Sequence, residues 1–260
     1  MKDKDFQSIV KVMLNKVPEI TLFFWVIKIL CTTVGETGAD FLDTKLNLGL
    51  DGVTLIIGTM LVVTLIFQFK TKKYVPGIYW LAVVLISIVG TLITDNLTDK
   101  LGISLMITTI IFTILLSIVF AVWYKKEKTL SIHSIITTRR ETFYWLAILF
   151  TFALGTAAGD LLAEKINLGY LLSAIIFGVL IASVAISHFV FKVNAVLAFW
   201  IAYILTRPLG ASIGDYLSQD LDNGGLGLGT VITSMIFLAT ILATVIYLTV
   251  TKKDVIRNQT

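Results

Sequence analysis

The same three-residue pattern occurs four times within long apolar segments of this chain. Each copy opens with an aromatic residue followed by Trp, has Gly ten residues after the Trp, and has Asp five residues after the Gly. The tryptophans are Trp25, Trp80, Trp145 and Trp200, the glycines are Gly35, Gly90, Gly155 and Gly210, and the aspartates are Asp40, Asp95, Asp160 and Asp215. This recurrence indicates an internal repeat, so the fold is expected to consist of four copies of one unit.

A second apolar run follows each of these aspartates after a short polar stretch. The chain is 57% hydrophobic and 15% charged, with a mean hydropathy of +0.91, whereas soluble domains are about a quarter charged. Because about 20 apolar residues cross a bilayer, we predict an all-α integral membrane protein with eight transmembrane helices in four tandem hairpins. The first helix of each hairpin, called the leading helix, is predicted over 19–42, 77–97, 142–163 and 196–217. The second, called the partner helix, is predicted over 53–69, 101–124, 168–191 and 226–250.

The spacing of the repeats divides the chain into two similar halves. The four motif tryptophans lie 55, 65 and 55 residues apart, which indicates that one hairpin was duplicated twice. Residues 1–260 are assigned to a single membrane domain, whose halves are predicted to be related by a pseudo-twofold axis along the membrane normal. The predicted repeats are 19–70, 75–125, 139–192 and 195–250. A cytoplasmic linker is predicted over 125–141, and an amphipathic helix over 2–16.

The distribution of Lys and Arg predicts how the helices are oriented. Sixteen of these residues flank the helix ends on the side of the termini, whereas Lys45, Lys100 and Lys165 are the three in the hairpin tips. The positive-inside rule then places both termini in the cytoplasm and the tips outside. We expect a multi-pass protein of a bacterial inner membrane, with the lipid bilayer as its partner. The net charge of +4 follows from this topology, and no nucleic-acid partner is expected.

Polar residues recur along one face of every leading helix. Residues four apart share a helix face, and Lys28, Thr32, Glu36 and Asp40 stand at that spacing in the first leading helix. Because charged groups are costly to expose to lipid, the leading helices are predicted to lie at the centre with the partner helices outside. The candidate residues for binding an ion or solute are Lys28, Thr32, Glu36, Asp40, Thr91, Asp95, Thr156, Asp160, Arg207 and Asp215.

The candidate residues have competing interpretations. Glu36 and Arg207 have opposite charges near mid-span, so we expect them to approach each other, either in a functional site or as a structural ion pair. The repeat aspartates are either helix-terminal caps or an acidic mouth that concentrates cations. The motif tryptophans are predicted to anchor the helices at the membrane interface, and the motif glycines to permit close packing of helices.

The aromatic–Trp start, the glycine and the aspartate, present four times in hairpins, resemble a bacterial family of uncharacterised membrane-anchored proteins. That family has four tandem two-helix repeats with a characteristic Trp. The resemblance covers nearly the whole chain. It implies an all-helical inner-membrane protein and does not imply a substrate.

Several chemistries lack their sequence motifs. The chain has no Walker-type phosphate loop, no HExxH and no GxSxG, and Cys31 is its single cysteine. We therefore expect no enzymatic activity and no cofactor. The predicted function is secondary transport of a small ion or solute through a polar site between the leading helices. The direction of transport is left open and includes export. Carboxylates and hydroxyls favour a hard cation as cargo, whereas Lys28 and Arg207 would favour an anion.

The alternative function is a non-transporting membrane scaffold, sensor or assembly factor whose polar core is only structural. The two functions differ in what they require of the centre of the protein. A water-accessible cavity that reaches Glu36 favours transport, and a dry, fully paired core favours the scaffold. The sequence leaves open which metal would bind and how many copies of the chain assemble.

Overall fold

The computed structural model describes residues 15–42 and 49–255, which are almost entirely helical. The eight long helices in these residues are α1 (Leu22–Asp40), α2 (Gly49–Lys70), α3 (Pro76–Asp95), α4 (Leu105–Glu127), α5 (Thr138–Asp160), α6 (Tyr170–Phe189), α7 (Ala195–Ser218) and α8 (Gly229–Thr251). Their 19 to 24 residues extend about 29 to 36 Å, enough to cross the apolar core of a bilayer. The prediction of an all-α protein with eight spans is confirmed. The predicted amphipathic helix over 2–16 and the tip residue Lys45 fall almost entirely outside the described residues.

Side-chain caps explain where several helices begin. The hydroxyl of Thr21 accepts a hydrogen bond at 3.4 Å from the backbone N–H of Phe24 in the first turn of α1. Thr137 caps α5 in the same way, so this helix begins at Thr138 rather than at the predicted 142. At their far ends, α3 and α5 continue through π-helical turns over Asn96–Lys100 and Leu161–Lys165.

The four leading helices, α1, α3, α5 and α7, form a closed ring. Helix α1 packs against α3 and α7, and α5 packs against the same two helices from the opposite side. Between 56% and 78% of the most apolar stretch of each leading helix is buried, against 11% to 28% in the partner helices. The leading helices therefore form the centre of the protein, as predicted, and the partner helices form its outer layer.

Each partner helix packs mainly on the leading helix of the next repeat. Helix α2 lies against α3, α4 against α5, and α6 against α7, while α8 returns to cover α1. Each repeat is therefore a hairpin along the chain, but its two helices pack mainly on helices of other repeats. Because α8 covers α1, the outer layer also runs all the way round the ring of leading helices.

The motif glycines allow the leading helices to approach one another closely. A Cβ atom at any of these four glycines would overlap a side chain of the neighbouring leading helix. The four contacts pair Gly35 with Ser87, Gly90 with Phe152, Gly155 with Arg207, and Gly210 with Thr32. In every case the contacted residue lies three positions before the next motif glycine, so one contact is repeated around the ring. The role of these glycines in close packing agrees with the prediction, while the pseudo-twofold axis stays a prediction.

Aromatic rings from the starts of the leading helices fill one end of the ring. The centroid of Trp80 lies 5.1 Å from that of Tyr79 and 5.7 Å from that of Phe24. The hydroxyls of Tyr79 and Tyr144 are hydrogen-bonded at 2.5 Å. We call this cluster the aromatic layer, and its members are Phe24, Tyr79, Trp80, Tyr144, Trp145, Phe199, Trp200 and Tyr203.

The aromatic layer corrects the prediction about the motif tryptophans. Trp80, Trp145 and Trp200 are only 1%, 4% and 4% exposed, so the prediction that they face the membrane interface is wrong. The side chain of Trp200 donates from Nε1 to the carbonyl of Leu130 at 2.9 Å. Aromatic rings bury large apolar areas against one another, and this packing holds the three tryptophans inside the protein. Trp25 alone among the four is only partly buried.

Loops cover the ring beyond the aromatic layer. We call this end of the ring, where the leading helices begin, the termini end. The Nζ of Lys16 lies 2.6 Å from Glu141 Oε2, both side chains are buried, and Gln68 donates to the second oxygen at 3.1 Å. The hydroxyl of Tyr74 donates to Asp254 Oδ2 at 2.6 Å. Burial, and secondarily the negative charge of Asp254, raises the pKa of Tyr74 well above its usual range. These contacts join segments from both termini to the middle of the chain.

Candidate functional site

Arg207 lies at the centre of the ring and contacts the three other leading helices. Its side chain is fully buried, and its Nη2 lies 2.8 Å from Oε2 of Glu36 on α1. Nη1 donates to the carbonyl of Thr32 at 3.1 Å. Nη2 also donates to the hydroxyls of Thr91 on α3 and, at 2.7 Å, of Thr156 on α5. The predicted approach of Glu36 and Arg207 is therefore confirmed, and two candidate threonines hold the same guanidinium group.

The local sequence makes room for this large side chain. Gly155 faces the Cβ and Cγ of Arg207, and any side chain at that glycine would displace the arginine. Pro208 follows directly and lacks an N–H, so the helix forms one hydrogen bond fewer at this level. A buried charge needs a partner of opposite sign, and loss of that partner costs about 3 to 5 kcal/mol. Glu36 and the surrounding oxygen atoms supply that compensation.

Lys28 is a second buried basic residue in the ring, on the aromatic side of Arg207. Its Nζ donates to the hydroxyl of Thr206 at 3.2 Å and lies 4.4 Å and 4.2 Å from the ring centroids of Phe152 and Tyr203. It forms no ion pair with any carboxylate in the part of the chain that the structure describes. The aromatic rings stabilise the ammonium group through cation–π interactions. Lys28 therefore lies between the polar centre of the ring and the aromatic layer.

A cavity of about 330 Å³ lies on the other side of Arg207, at the end of the ring formed by the hairpin tips. The carboxylates that line it are Glu36, Asp40, Asp95, Asp99, Asp160, Glu164 and Asp215. All four repeat aspartates therefore meet at one place, which is the arrangement that the acidic-mouth interpretation requires. We call this space the acidic cavity. Its concentrated negative charge attracts cations and raises their local concentration.

Asp99 and Glu164 belong to the acidic hairpin tips but were not among the candidate residues for binding an ion or solute. Each stands four residues after a repeat aspartate, as does Gln219, which also lines the acidic cavity. The polar stripe thus continues for one more helical turn beyond the motif. The π-helical turns at the ends of α3 and α5 carry the two acidic residues to this level. Extending the four-residue spacing past the motif would have identified all three.

The deepest part of the acidic cavity brings three carboxylates together. Oxygen atoms of Glu36, Asp160 and Asp215 all lie within 4.8 Å of one another. Asp215 is 7% exposed, and its carboxylate has no hydrogen-bond or ion-pair partner among the described residues. Lys100, the nearest tip lysine in sequence to Asp95, is paired instead with Asp51 at 2.6 Å. Of Glu36, Asp160 and Asp215, only Glu36 is bonded to Arg207 among the described residues.

Thr32 has a different place from the other candidate threonines. Its hydroxyl donates to the carbonyl of Ile29 at 2.6 Å, one turn earlier in α1, and its own carbonyl accepts from Arg207. The candidate residues thus form three groups along the ring axis. Lys28 lies towards the aromatic layer, the threonines and Arg207 lie in the middle, and Glu36 with the aspartates lines the acidic cavity.

Four leading helices around a buried ion pair, covered by four apolar partner helices, define an all-helical repeat protein with a polar centre and eight helices able to cross a membrane. The chain belongs to the family described as Repeat of Unknown Function (DUF347), whose model matches residues 23–74, 78–129, 143–194 and 198–254. These four matches coincide with the four repeats found in the sequence, so membership of a four-repeat family is confirmed. Comparisons with curated proteins and with solved structures gave no match.

Proposed function

We propose that this protein is a secondary transporter that moves a small hard cation through the centre of the ring of leading helices. One observation carries the proposal: the acidic cavity, whose described lining includes seven carboxylates, reaches Glu36 of the buried Glu36–Arg207 pair in the middle of the ring. The excess of negative charge favours a cation over an anion. Oxygen ligands favour a hard ion, such as a proton, Na⁺, Mg²⁺ or Mn²⁺.

The proposed setting is a bacterial inner membrane with both termini in the cytoplasm. In that orientation the acidic cavity faces outside, and the aromatic layer and the loops at the termini end close the cytoplasmic side. A cation that reaches Glu36 competes with Arg207 for its carboxylate. That competition gives transport a physical coupling, because release of Arg207 would change the contacts of all three other leading helices at once.

Cation flux into proteoliposomes tests the proposal. We expect protein-dependent flux of at least one of the ions H⁺, Na⁺, Mg²⁺ and Mn²⁺, and loss of that flux in Glu36→Gln. Because Glu36→Gln leaves Arg207 without a counter-charge, the double variant Glu36→Gln with Arg207→Gln serves as the folding control. It should fold and still carry no flux. Asp222→Asn, at an exposed tip residue outside the acidic cavity, should retain flux. Absence of flux for every ion tested would refute the proposal.

The alternative function is a non-transporting membrane scaffold with a structural polar core. The observation in its favour is that Arg207 is fully buried and bonded to three neighbouring helices, as a static core would require. The double variant separates the two functions. If it folds and retains every activity of the wild-type protein, the ion pair is only structural and the scaffold is supported.

A further inference from the structure

We infer that Glu36, Asp160 and Asp215 bind a single divalent metal ion of the hard class that includes Mg²⁺, Mn²⁺ and Ca²⁺. The inference narrows the cargo of the proposed transporter and, for the transport of that ion, rests on the proposed function. The binding itself is argued from the deepest part of the acidic cavity. Three observations support it: the spacing of the carboxylates, their charge balance with Arg207, and the burial of Asp215.

The spacing of the three carboxylates fits one shared ion. Two oxygens bound to the same metal are separated by at most twice the bond length, which is about 4.2 Å for Mg²⁺ and about 5 Å for Ca²⁺. Oxygens of Glu36, Asp160 and Asp215 lie within 4.8 Å of one another, which is inside this limit for Ca²⁺, whereas the smaller Mg²⁺ would have to draw the carboxylates closer together. They come from α1, α5 and α7, so one ion would join three of the four leading helices. The glycine contacts between these helices allow the close approach that the site needs.

The local charge balance favours a divalent ion. In their ionised forms the three carboxylates carry three negative charges, and Arg207, bonded to Glu36, contributes one positive charge. The remaining charge of −2 is neutralised by one divalent ion and only half neutralised by Na⁺ or K⁺. Arg207 holds Oε2 of Glu36, and Oε1 has no partner in the described part of the chain, so this oxygen is available to a metal.

Asp215 points to a ligand independently of the number of acidic residues. Its side chain is nine-tenths buried, lines the acidic cavity and has no donor or cation bonded to it within 15–42 and 49–255. A buried ionised carboxylate without any partner is strongly disfavoured, because it has lost hydration, so the group must take up a proton or a cation. A metal ion in contact with Asp215 supplies the missing compensation. The described residues that line the cavity include no Cys or His, so soft metals lack their preferred ligands among them.

Thermal unfolding of the full chain in detergent tests the inference. MnCl₂, MgCl₂, CaCl₂, NaCl and KCl are each titrated at constant ionic strength, and the dissociation constant is taken from the rise in Tm. At least one divalent ion should raise Tm with saturation, and Na⁺ and K⁺ should not. Asp160→Asn and Asp215→Asn should each weaken that binding by at least about tenfold, since they remove a proposed ligand.

The control variant is Asp222→Asn, which removes one exposed carboxylate at the same end of the protein and should change the affinity by less than about threefold. Size-exclusion profiles and circular dichroism establish that each variant is folded. If Asp215→Asn does not fold, Asp160→Asn decides the outcome, because Asp160 is less buried. Equal affinities in wild type and both ligand variants, or no response to any divalent ion, would overturn the inference.

Flux measurements separate this inference from the proposed function. Saturable divalent binding at these residues without flux of any ion would refute the transporter and leave the metal site standing. Flux of H⁺ or Na⁺ without divalent binding would refute the metal site and leave the transporter standing. Flux of the same divalent ion that binds, lost in Asp215→Asn, would support both.

Discussion

Removing the two partners of the central ion pair should have unequal effects on stability. Arg207 is fully buried and cannot lose its proton, whereas Glu36 lines the acidic cavity and can accept a proton or a cation from it. At 2.8 Å and an effective dielectric constant of about 20, the attraction between the two charges amounts to about 6 kcal/mol before desolvation is counted. Glu36→Gln therefore leaves the positive charge of Arg207 buried without a partner. Arg207→Gln leaves the carboxylate of Glu36, which a proton or a cation from the cavity can neutralise.

The expected costs follow from that difference. Glu36→Gln should lower the free energy of unfolding by about 3 to 5 kcal/mol, the usual cost of leaving a buried charge unpaired. Arg207→Gln should lower it by about 1 to 3 kcal/mol, because hydroxyls of Thr91 and Thr156 lose a hydrogen-bond donor. The double variant should be more stable than Glu36→Gln alone, since it contains no stranded charge.

Unfolding in mixed micelles, followed by tryptophan fluorescence, measures these differences. Trp80, Trp145 and Trp200 are buried in the aromatic layer, so their emission should shift when the ring opens. The wild type, both single variants and the double variant form a complete double-mutant cycle, and a coupling energy of at least about 0.5 kcal/mol is expected. If Arg207→Gln costs as much as Glu36→Gln, or if the two costs simply add, the reasoning about the stranded charge is wrong.

Three further predictions concern other parts of the fold. Gly210→Ala should destabilise the protein by about 1 to 3 kcal/mol because its Cβ would overlap α1, whereas Gly178→Ala on α6, with open space around it, should be neutral or stabilising in the same unfolding assay. Because the pKa of Tyr74 is raised in the folded protein, its contribution to the free energy of unfolding is complete below the unfolded pKa of about 10 and falls progressively as pH rises above that value. The stability of Tyr74→Phe should therefore fall less than that of the wild type between about pH 8 and pH 11. In intact cells, a cysteine at position 99 should react with an impermeant thiol reagent and one at position 72 should not; the opposite result would reverse the topology.

The sequence was sufficient to predict the ring and much of its polar lining. The four-residue spacing from Lys28 to Asp40 marked the inward face of a helix, and the opposite charges of Glu36 and Arg207 indicated a contact. Both inferences rest on the cost of exposing charge to lipid, which leaves few alternatives. Every helix end lies within four residues of its predicted end, and the largest differences are at the starts of α2, α4 and α5.

The packing of the partner helices could not be predicted in the same way. Their outward faces are mostly apolar and carry no charge in mid-span, so nothing in the sequence distinguishes a partner helix that covers its own leading helix from one that covers the next. The inward position of Trp80, Trp145 and Trp200 was missed for a related reason. An indole side chain near a helix end suits both a membrane interface and a packed aromatic cluster. Only the arrangement of the helices in space decides between the two.

The divergence of the four repeats follows the access of water along the ring axis. At the acidic cavity every repeat has kept an aspartate, and deeper in the ring the equivalent positions differ. The layer of Arg207 contains Thr32, Ser87, Phe152 and Arg207, and the next layer towards the cavity contains Glu36, Thr91, Thr156 and Ala211. Four identical charges would repel one another strongly in a buried layer, whereas water and bound cations reduce that repulsion in a cavity. A single arginine can instead reach Glu36, Thr91 and Thr156, the side chains that the three other repeats contribute to the adjoining layer. The Glu36–Arg207 pair therefore requires different residues at equivalent positions of the repeats. The acidic cavity instead uses an aspartate that is the same in all four repeats.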